Sequence, residues 1–348
     1  MTSQDNPLYA AWQALCEQEP KLRIREAASR LGVNEAALVD AQCGVQATRL
    51  VGDLRALFKQ LGSLGDVMAL TRNDFCVHER HGTYLNIQAE GMIGLTLGDD
   101  IDLRVFFSQW RHAFAVEEPG QSGPRRSLQF FDARGMALHK VYLTEHSDVS
   151  AYQEIRQQYA VTASDRIELD TTPVIAERLD VEVDVATLRN KWLALKDTHD
   201  FFSMLKSLAL PRLTALRHAG GDLACEVSYD AVERVLHWAA ETATDIMVFV
   251  GNPGMVQIHT GKVQRLLRTG PWFNVLDERF SMHLNTTAIA SSWVVSKPTV
   301  DGWVTSLELY DVQGGLIVQL FGKRKPGLPE LPDWRAMLLD LIPAEETA

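Results

Sequence analysis

The side chains of this chain that could hold a ligand or carry a reaction are few and widely spaced, and His199 has the most suggestive surroundings. The run Asp197-Thr198-His199-Asp200-Phe201-Phe202 leads into Met204, Leu205, Leu208 and Leu210 at a predicted helix start. A neutral imidazole offers a lone pair to iron, and aromatic, Met and Leu side chains cover a porphyrin. The run therefore has what an axial haem ligand requires. Haem also carries propionates, which require Arg or Lys at the pocket mouth. Arg212 lies thirteen residues on, at the predicted far end of the same helical region. The competing reading is that His199 helps to cap a helix beside the core.

Other chemistries find little support. His78 and His81 stand three apart and, in a strand, point to opposite faces, so they make no shared metal site. Cys16, Cys43, Cys76 and Cys225 are scattered with no CxxC pair, which predicts reduced thiols rather than a zinc site or a disulfide framework. No GxGxxG opens a helix, and GxxxxGK[ST], HExxH and GxSxG do not occur. The formal net charge of −11 argues against a broad nucleic-acid surface or attraction to anionic lipid, while leaving room for a local basic pocket. No apolar run approaches the ~18 residues of a membrane span. The start, MTSQDNPLYAAWQALCEQEP, lacks a basic, apolar leader, so a cytoplasmic protein is expected.

The elements that must position these residues come from an internal repeat. The chain has 348 residues, 46% of them hydrophobic, which is enough for two domains with cores of their own. At an ungapped offset of 179 residues, Met68 falls on Met247, Asn73 on Asn252, Gly82 on Gly261, Pro119 on Pro298, Asp132 on Asp311 and Gly135 on Gly314. Gly, Pro and Asp at turns are what a shared backbone retains. Residues 127–143 and 306–321 are each two β-rich runs around an Asp-x-x-Gly turn, a hairpin signature. Residues 248–267 add strands broken at Asn252-Pro253-Gly254 and at Thr260-Gly261. Helical stretches precede each sheet, among them NEAALVDAQCG, LVGDLRALFKQLG, KWLALKDTHDFFSMLKSLAL and DAVERVLHWAAETA. The expected class is α+β, a tandem duplication of a domain built on a large antiparallel β-sheet with helices packed at one side. The first repeat is expected over 1–180 and the second, with His199, over 181–348. The stretch 150–190, including DTTPVIAERLDVEVDVA, is expected to hold an ordered crossover.

Long strings of the chain resemble the cytoplasmic haem-trafficking and haemin-degrading proteins of bacterial haem uptake, the HemS, ChuS and PhuS type. The resemblance covers nearly the whole chain. In the first repeat it is carried by REAASRLGVNEAALV, MALTRND and IDLRVFFSQWRHAFAVEE. In the second it is carried by DTHDFF, GDLACEV, VQIHTGKV, GPWFNVLDE, WVVSKPTVDGWVTSLELYD and QLFGKRKPGLPE. It implies that His199 is the proximal iron ligand and that Arg104 reaches the distal face of the haem from the other half. It further implies that Arg212, Lys297 and Arg324 are basic pocket residues partnering the propionates, with Gln319 on the same wall. Phe106 and Phe201 would be apolar contacts or plain core. His78 would be a secondary haem contact, or an exposed strand histidine. The chain departs from the pattern at Ser296 (VVSKPT for VVRKPT), at Asn285 (HLNTT for HLRED) and at Phe321, where some members carry tyrosine. These changes remove donors beside the expected pocket and bear on affinity and oxygen chemistry, not on the iron ligand.

On this resemblance the chain accepts haem from an inner-membrane importer, then passes it to an acceptor or oxygenase or degrades it to release iron. Degradation would need an external electron donor and a distal group; Arg104 would be catalytic in that case, and otherwise only a clamp on haem. The sequence leaves carrier and degrading enzyme open. A third class, a haem-responsive DNA-binding regulator, comes from Ala27–Val33 and Glu35–Val39, which resemble the first helices of a helix-turn-helix with Gly32 at the turn. Arg23, Arg25 and Arg30 add local positive charge. The acidic would-be recognition helix NEAALVDAQ instead favours a helical corner packed on the first sheet.

Overall fold

A computed structural model describes residues 6–120, 123–162, 165–173, 178–325 and 327–343. The first half runs through helices α1 (Pro7–Gln18), α2 (Ile24–Arg30) and α3 (Glu35–Asp40) into β1 (Ala47–Leu50), α4 (Leu54–Lys59), β2 (Gly65–Arg72) and β3 (Cys76–Gly82). Next come β4 (Ile93–Leu97), β5 (Asp102–Phe106), β6 (His112–Glu118), β7 (Arg125–Phe131), β8 (Ala137–Ser147) and α5 (Val149–Tyr159). The second half repeats the order with α6 (Val185–Leu193), α7 (Asp200–Leu208), α8 (Arg212–Ala219), β9 (Ala224–Val227), α9 (Ala231–Thr242), β10 (Ile246–Asn252) and β11 (Met255–Gly261). It ends with β12 (Leu266–Thr269), β13 (Trp272–Leu276), β14 (Phe280–Asn285), β15 (Ser291–Thr299), β16 (Gly302–Tyr310), β17 (Leu316–Gly322) and α10 (Pro332–Asp340). This is the expected duplicated α+β domain.

The chain divides into two compact units. The first is Met1–Arg72, His78–Pro173 and Gly251–Gln257; the second is Asn73–Val77, Val174–Val250 and Ile258–Ala348. In the first unit the strand order is β1-β6-β7-β8-β2-β3, and β4 pairs with β5. In the second, β10-β17-β16-β15-β9 form one run and β14-β13-β12 another. The β6/β7, β7/β8, β2/β8, β15/β16, β16/β17 and β10/β17 ladders are antiparallel. Each unit includes a short segment from the other half of the sequence, fixed by an asparagine. Within the first unit, Asn252 Nδ2 donates to Leu138 O at 2.8 Å and Gln257 Nε2 to Ala69 O at 2.9 Å. Within the second, Asn73 Nδ2 donates to Ile317 O at 2.7 Å, and its Oδ1 accepts from Phe75 N and Cys76 N. The repeat offset matches Asn73 with Asn252 and Leu138 with Ile317, so the same side-chain bond is made twice.

Two segments differ from expectation. KWLALKDTHDFFSMLKSLAL forms two helices rather than one, because residues 194–199 turn and His199 begins a new helix. Arg212 is not on the far end of the His199 helix but opens α8. Ala209 takes a left-handed conformation (φ 51°) and Pro211 follows, and neither lets a helix continue. The helix-turn-helix resemblance resolves as a packed corner. Glu35, Ala36, Leu38, Val39 and Asp40 of α3 are all buried, and Ala36 N donates to Gly135 O, so that face is closed to a DNA groove. Of DTTPVIAERLDVEVDVA, residues 174–177 lie outside the described residues; beyond them Leu179 packs on the second core and its carbonyl accepts from Thr214 Oγ1.

The two cores share a backbone plan but not a chemistry. In the first unit His139 is buried between Thr71 Oγ1 at 2.9 Å and Tyr84 OH at 2.6 Å. The offset puts Val250, Val263 and Val318 at these three places in the second core. Burial drives the His139 pKa down to about 3. Its native pKa is below the unfolded one, so the unfolded chain binds the extra proton and stability falls as pH drops below about 6.5. Relative to pH 7.5, the loss at pH 5 is expected to be about 2 kcal/mol. Urea unfolding of wild type and His139→Gln at both pH values checks this: the variant should lose that part of the pH dependence, and equal dependence in both would count against it.

Candidate functional site

His199 occupies the N-cap position of α7, yet its ring does not cap the helix. The ring instead points into solvent, with its side chain 84% exposed. Asp197 determines its orientation. One oxygen, Oδ1, accepts from His199 N at 2.8 Å and stands 2.6 Å from Nδ1. The His199 backbone N–H, with smaller contributions from its ring and from Arg324, holds the Asp197 carboxyl below its ordinary range. An ionised carboxylate only accepts, so Nδ1 carries the hydrogen, and in the neutral ring Nε2 keeps its lone pair. No described residue bonds Nε2. Phe202, on the next turn, is 73% exposed, and Val300 is exposed too; its N–H bonds Lys196 O at 3.0 Å and ties the histidine loop to the β15–β16 turn. An imidazole anchored at Nδ1 by a carboxylate and open at Nε2 is the usual arrangement of a metal-ligating histidine. Among the described residues no three His, Cys, Asp or Glu side chains gather around a metal position. A lone imidazole fits a metal that brings its own equatorial donors, as haem iron does.

Beneath α7 the expected pocket residues converge on a group that the sequence reading did not name. Glu308, on β16, is fully buried. Its Oε1 accepts from Arg212 Nη2 at 2.6 Å, Lys297 Nζ at 2.8 Å, Ser306 Oγ at 3.0 Å and Gln319 Nε2 at 3.0 Å. Its Oε2 accepts from Arg212 Nε at 2.8 Å and Tyr310 OH at 2.6 Å. Burial opposes ionisation of Glu308, but Arg212 and Lys297 together hold its carboxyl well below the ordinary range. Lys297 moves the other way for a cation with an acidic partner. Burial pushes it down to about 8, and the like charge of Arg212 offsets part of the help from Glu308. Both cations also face Phe201: Lys297 Nζ lies 4.7 Å and Arg212 Cζ 4.9 Å from its ring centroid, and the Trp192 ring meets it edge-on at 4.6 Å.

The remaining expected residues lie elsewhere. Arg324 pairs with Asp301 at 3.5 Å, and its Nε has no partner among the described residues. Arg104, in the first unit, bonds Asp102 and, at 3.1 Å, Leu103 O. Its cross-strand partner is Leu95, and alternation puts Ile93, Leu97 and Phe106 on the same hairpin face. Asp102 shares that face, so Arg104 is an ion-paired cation beside apolar side chains, with Ile93 and Leu97 exposed. His78 is on a strand, as expected, but is fully buried rather than exposed. Of the departures, Ser296 alternates to the face of β15 opposite Lys297, so a cation there would not have joined the Glu308 cluster. Asn285 caps the turn Thr286–Ala288 through Thr287 N, and Phe321 meets Phe249 edge-on at 5.0 Å.

Sequence reasoning gave Asp197, Glu308 and Tyr310 no role. The Asp-x-His spacing before a helix was a usable signal for Asp197, since Asp readily bonds the backbone two residues on. Glu308 gave none, because a lone acid between two strand leucines reads as solvent-facing.

The model of the haemin-degrading HemS.ChuX domain matches this chain twice, over residues 32–159 and 209–341. The hemin transport protein HmuS of Yersinia pestis is 41% identical over 338 residues, 96% of this chain and 97% of that protein. The crystal structure of holo-PhuS, a heme-binding protein from Pseudomonas aeruginosa, superposes with a TM-score of 0.93 at 46% identity, covering 97% of this chain and 99% of that one. The heme degrading enzyme ChuS of Escherichia coli O157:H7 gives 0.91 at 38% identity over the same shares. With a duplicated fold, two domain matches and relatives aligned nearly end to end, the chain belongs to the haemin-degrading HemS.ChuX domain family.

Proposed function

We propose that this chain is a haem-binding protein of bacterial haem uptake in which Nε2 of His199 ligates the iron. The observation that carries this reading is the exposed imidazole with Nδ1 committed to Asp197. A single protein–iron bond suits a cargo that must leave again. The names of the relatives, hemin transport for HmuS and heme-binding for PhuS, support the ligand class. We assign Arg324 to a propionate, since it has donors left over beyond Asp301, and Phe202 to the porphyrin face. Arg104 is the haem contact we assign to the first unit, a charge-assisted donor on a hairpin face shared with Ile93, Leu97 and its partner Asp102. Arg212, Lys297 and Gln319 form the pocket wall.

The proposed path runs in the cytoplasm, from an inner-membrane importer to an acceptor or to breakdown of the macrocycle. Among the described residues no helix is long and apolar enough to cross a membrane. The likeness to a heme degrading enzyme keeps degradation within this reading. Haem would supply the redox chemistry; the chain would orient it through His199 and shield its faces. Adding a reductant and oxygen to the loaded protein separates the two fates. Release of iron to a chelator marks degradation, and intact transfer to an apo-globin marks a carrier.

Titration of the apo-protein with haemin, followed at the Soret band, tests the ligand. A saturable one-to-one spectrum is expected for wild type, and its loss or strong alteration for His199→Ala. Equal binding by both would remove His199 as the ligand. Asp197→Asn is expected to weaken haemin binding by about tenfold, the usual effect of removing the partner that orients a ligating histidine. Unchanged affinity in that variant would mean that the Asp197 bond does not matter to ligation.

A further inference from the structure

We infer that Glu308 is a positioning residue for the iron ligand: through Arg212 and Lys297 it fixes the Phe201 ring, and with it the first turn of α7 that carries His199. The inference rests on the proposed ligation by His199. The buried residues of α7 are Phe201, Met204 and Leu205, and Phe201 is the one nearest the histidine. Its ring is held between the Trp192 edge and the two cations. Two like charges in a buried site stay together only around a shared counter-charge, and Glu308 supplies it with both oxygens. Without that charge Arg212 and Lys297 would separate or draw in water, and the Phe201 ring would lose both cations that face it.

Arg212 Nε and Nη2 and Lys297 Nζ all point at Glu308, and Lys297 is 2% exposed. The first repeat supports the same conclusion. There the offset puts Gln129 in the place of Glu308, Lys140 in that of Gln319 and Glu118 in that of Lys297. Lys140 pairs with Glu35, the first residue of α3, where Arg212 is the first of α8. The N-cap of α2, the helix equivalent to α7, is Arg23. The buried acid that gathers two cations therefore occurs in the repeat that presents the imidazole, and at the equivalent positions the first repeat has Gln129 and Arg23.

The test uses the full chain loaded with haemin, with Glu308→Gln, Phe201→Leu and the double variant beside wild type. Affinity is read from the Soret titration and the iron–histidine bond from its resonance Raman stretching band in the reduced protein. Each single variant is expected to weaken binding by about tenfold and to shift that band. The double variant is expected to be no worse than either, since both changes act along one route. An unchanged band and affinity in a folded single variant would overturn the inference, and so would effects that multiply in the double. Phe201→Leu leaves the charge cluster whole, so it decides the matter even if Glu308→Gln does not fold. Wild type that binds no haemin, or His199→Ala that binds as well as wild type, would instead bring down the underlying reading and this inference with it.

Discussion

The carboxylate of Glu308 lies in the central strand of β10-β17-β16-β15-β9 with no exposure to water. A charge survives there only if its lone pairs are taken up by donors and its sign is balanced. Residues from α8, β15, β16 and β17 meet that demand. One acid thus sets the position of a helix start and three strands relative to each other. Removing one partner from a buried pair typically costs about 3–5 kcal/mol, which makes this the stiffest polar feature under α7. At the surface Asp197 repeats the logic on a smaller scale, fixing a backbone N–H and a ring with one oxygen. Between the two carboxylates, His199 is oriented from above and its helix is anchored from below.

Duplication supplied the frame, and divergence supplied the site. The Asp-x-x-Gly hairpins, the asparagine side-chain bonds and the helix order recur in both halves. Where the first core has His139, Thr71 and Tyr84, the second has three valines; where the second has Glu308 with two cations, the first has Gln129 beside a Glu35–Lys140 pair. Such exchanges keep the buried charges paired while changing the local charge. The second cluster carries a net positive charge, while the Glu35–Lys140 pair of the first is neutral.

Features set by local chemistry were legible in the sequence. Turn residues marked the hairpins at 132–135 and 311–314, the repeat offset located the duplication, and the apolar run after His199 marked α7. The likeness of long strings to known haem proteins supplied the ligand class, which spacing alone offered only as one reading of His199. Features set by tertiary structure were not legible. Ala209 takes a left-handed conformation that alanine does not advertise, so two helices read as one. Glu308 alternates with leucines like any solvent-facing strand acid, and its burial depends on cations from other elements, Arg212 of α8 and Lys297 of β15. His78 read as exposed for the same reason. Nor does the sequence say that Asn73–Val77 and Gly251–Gln257 each complete a unit built mainly from the other half.

The most direct test of the central claim is a crystal structure of the haem-loaded chain with anomalous data collected at the iron absorption edge. The iron peak is expected at bonding distance from Nε2 of His199, with Nδ1 still on Asp197. An iron peak against any other side chain, or a His199 ring turned so that Nδ1 faces the metal, would contradict the account.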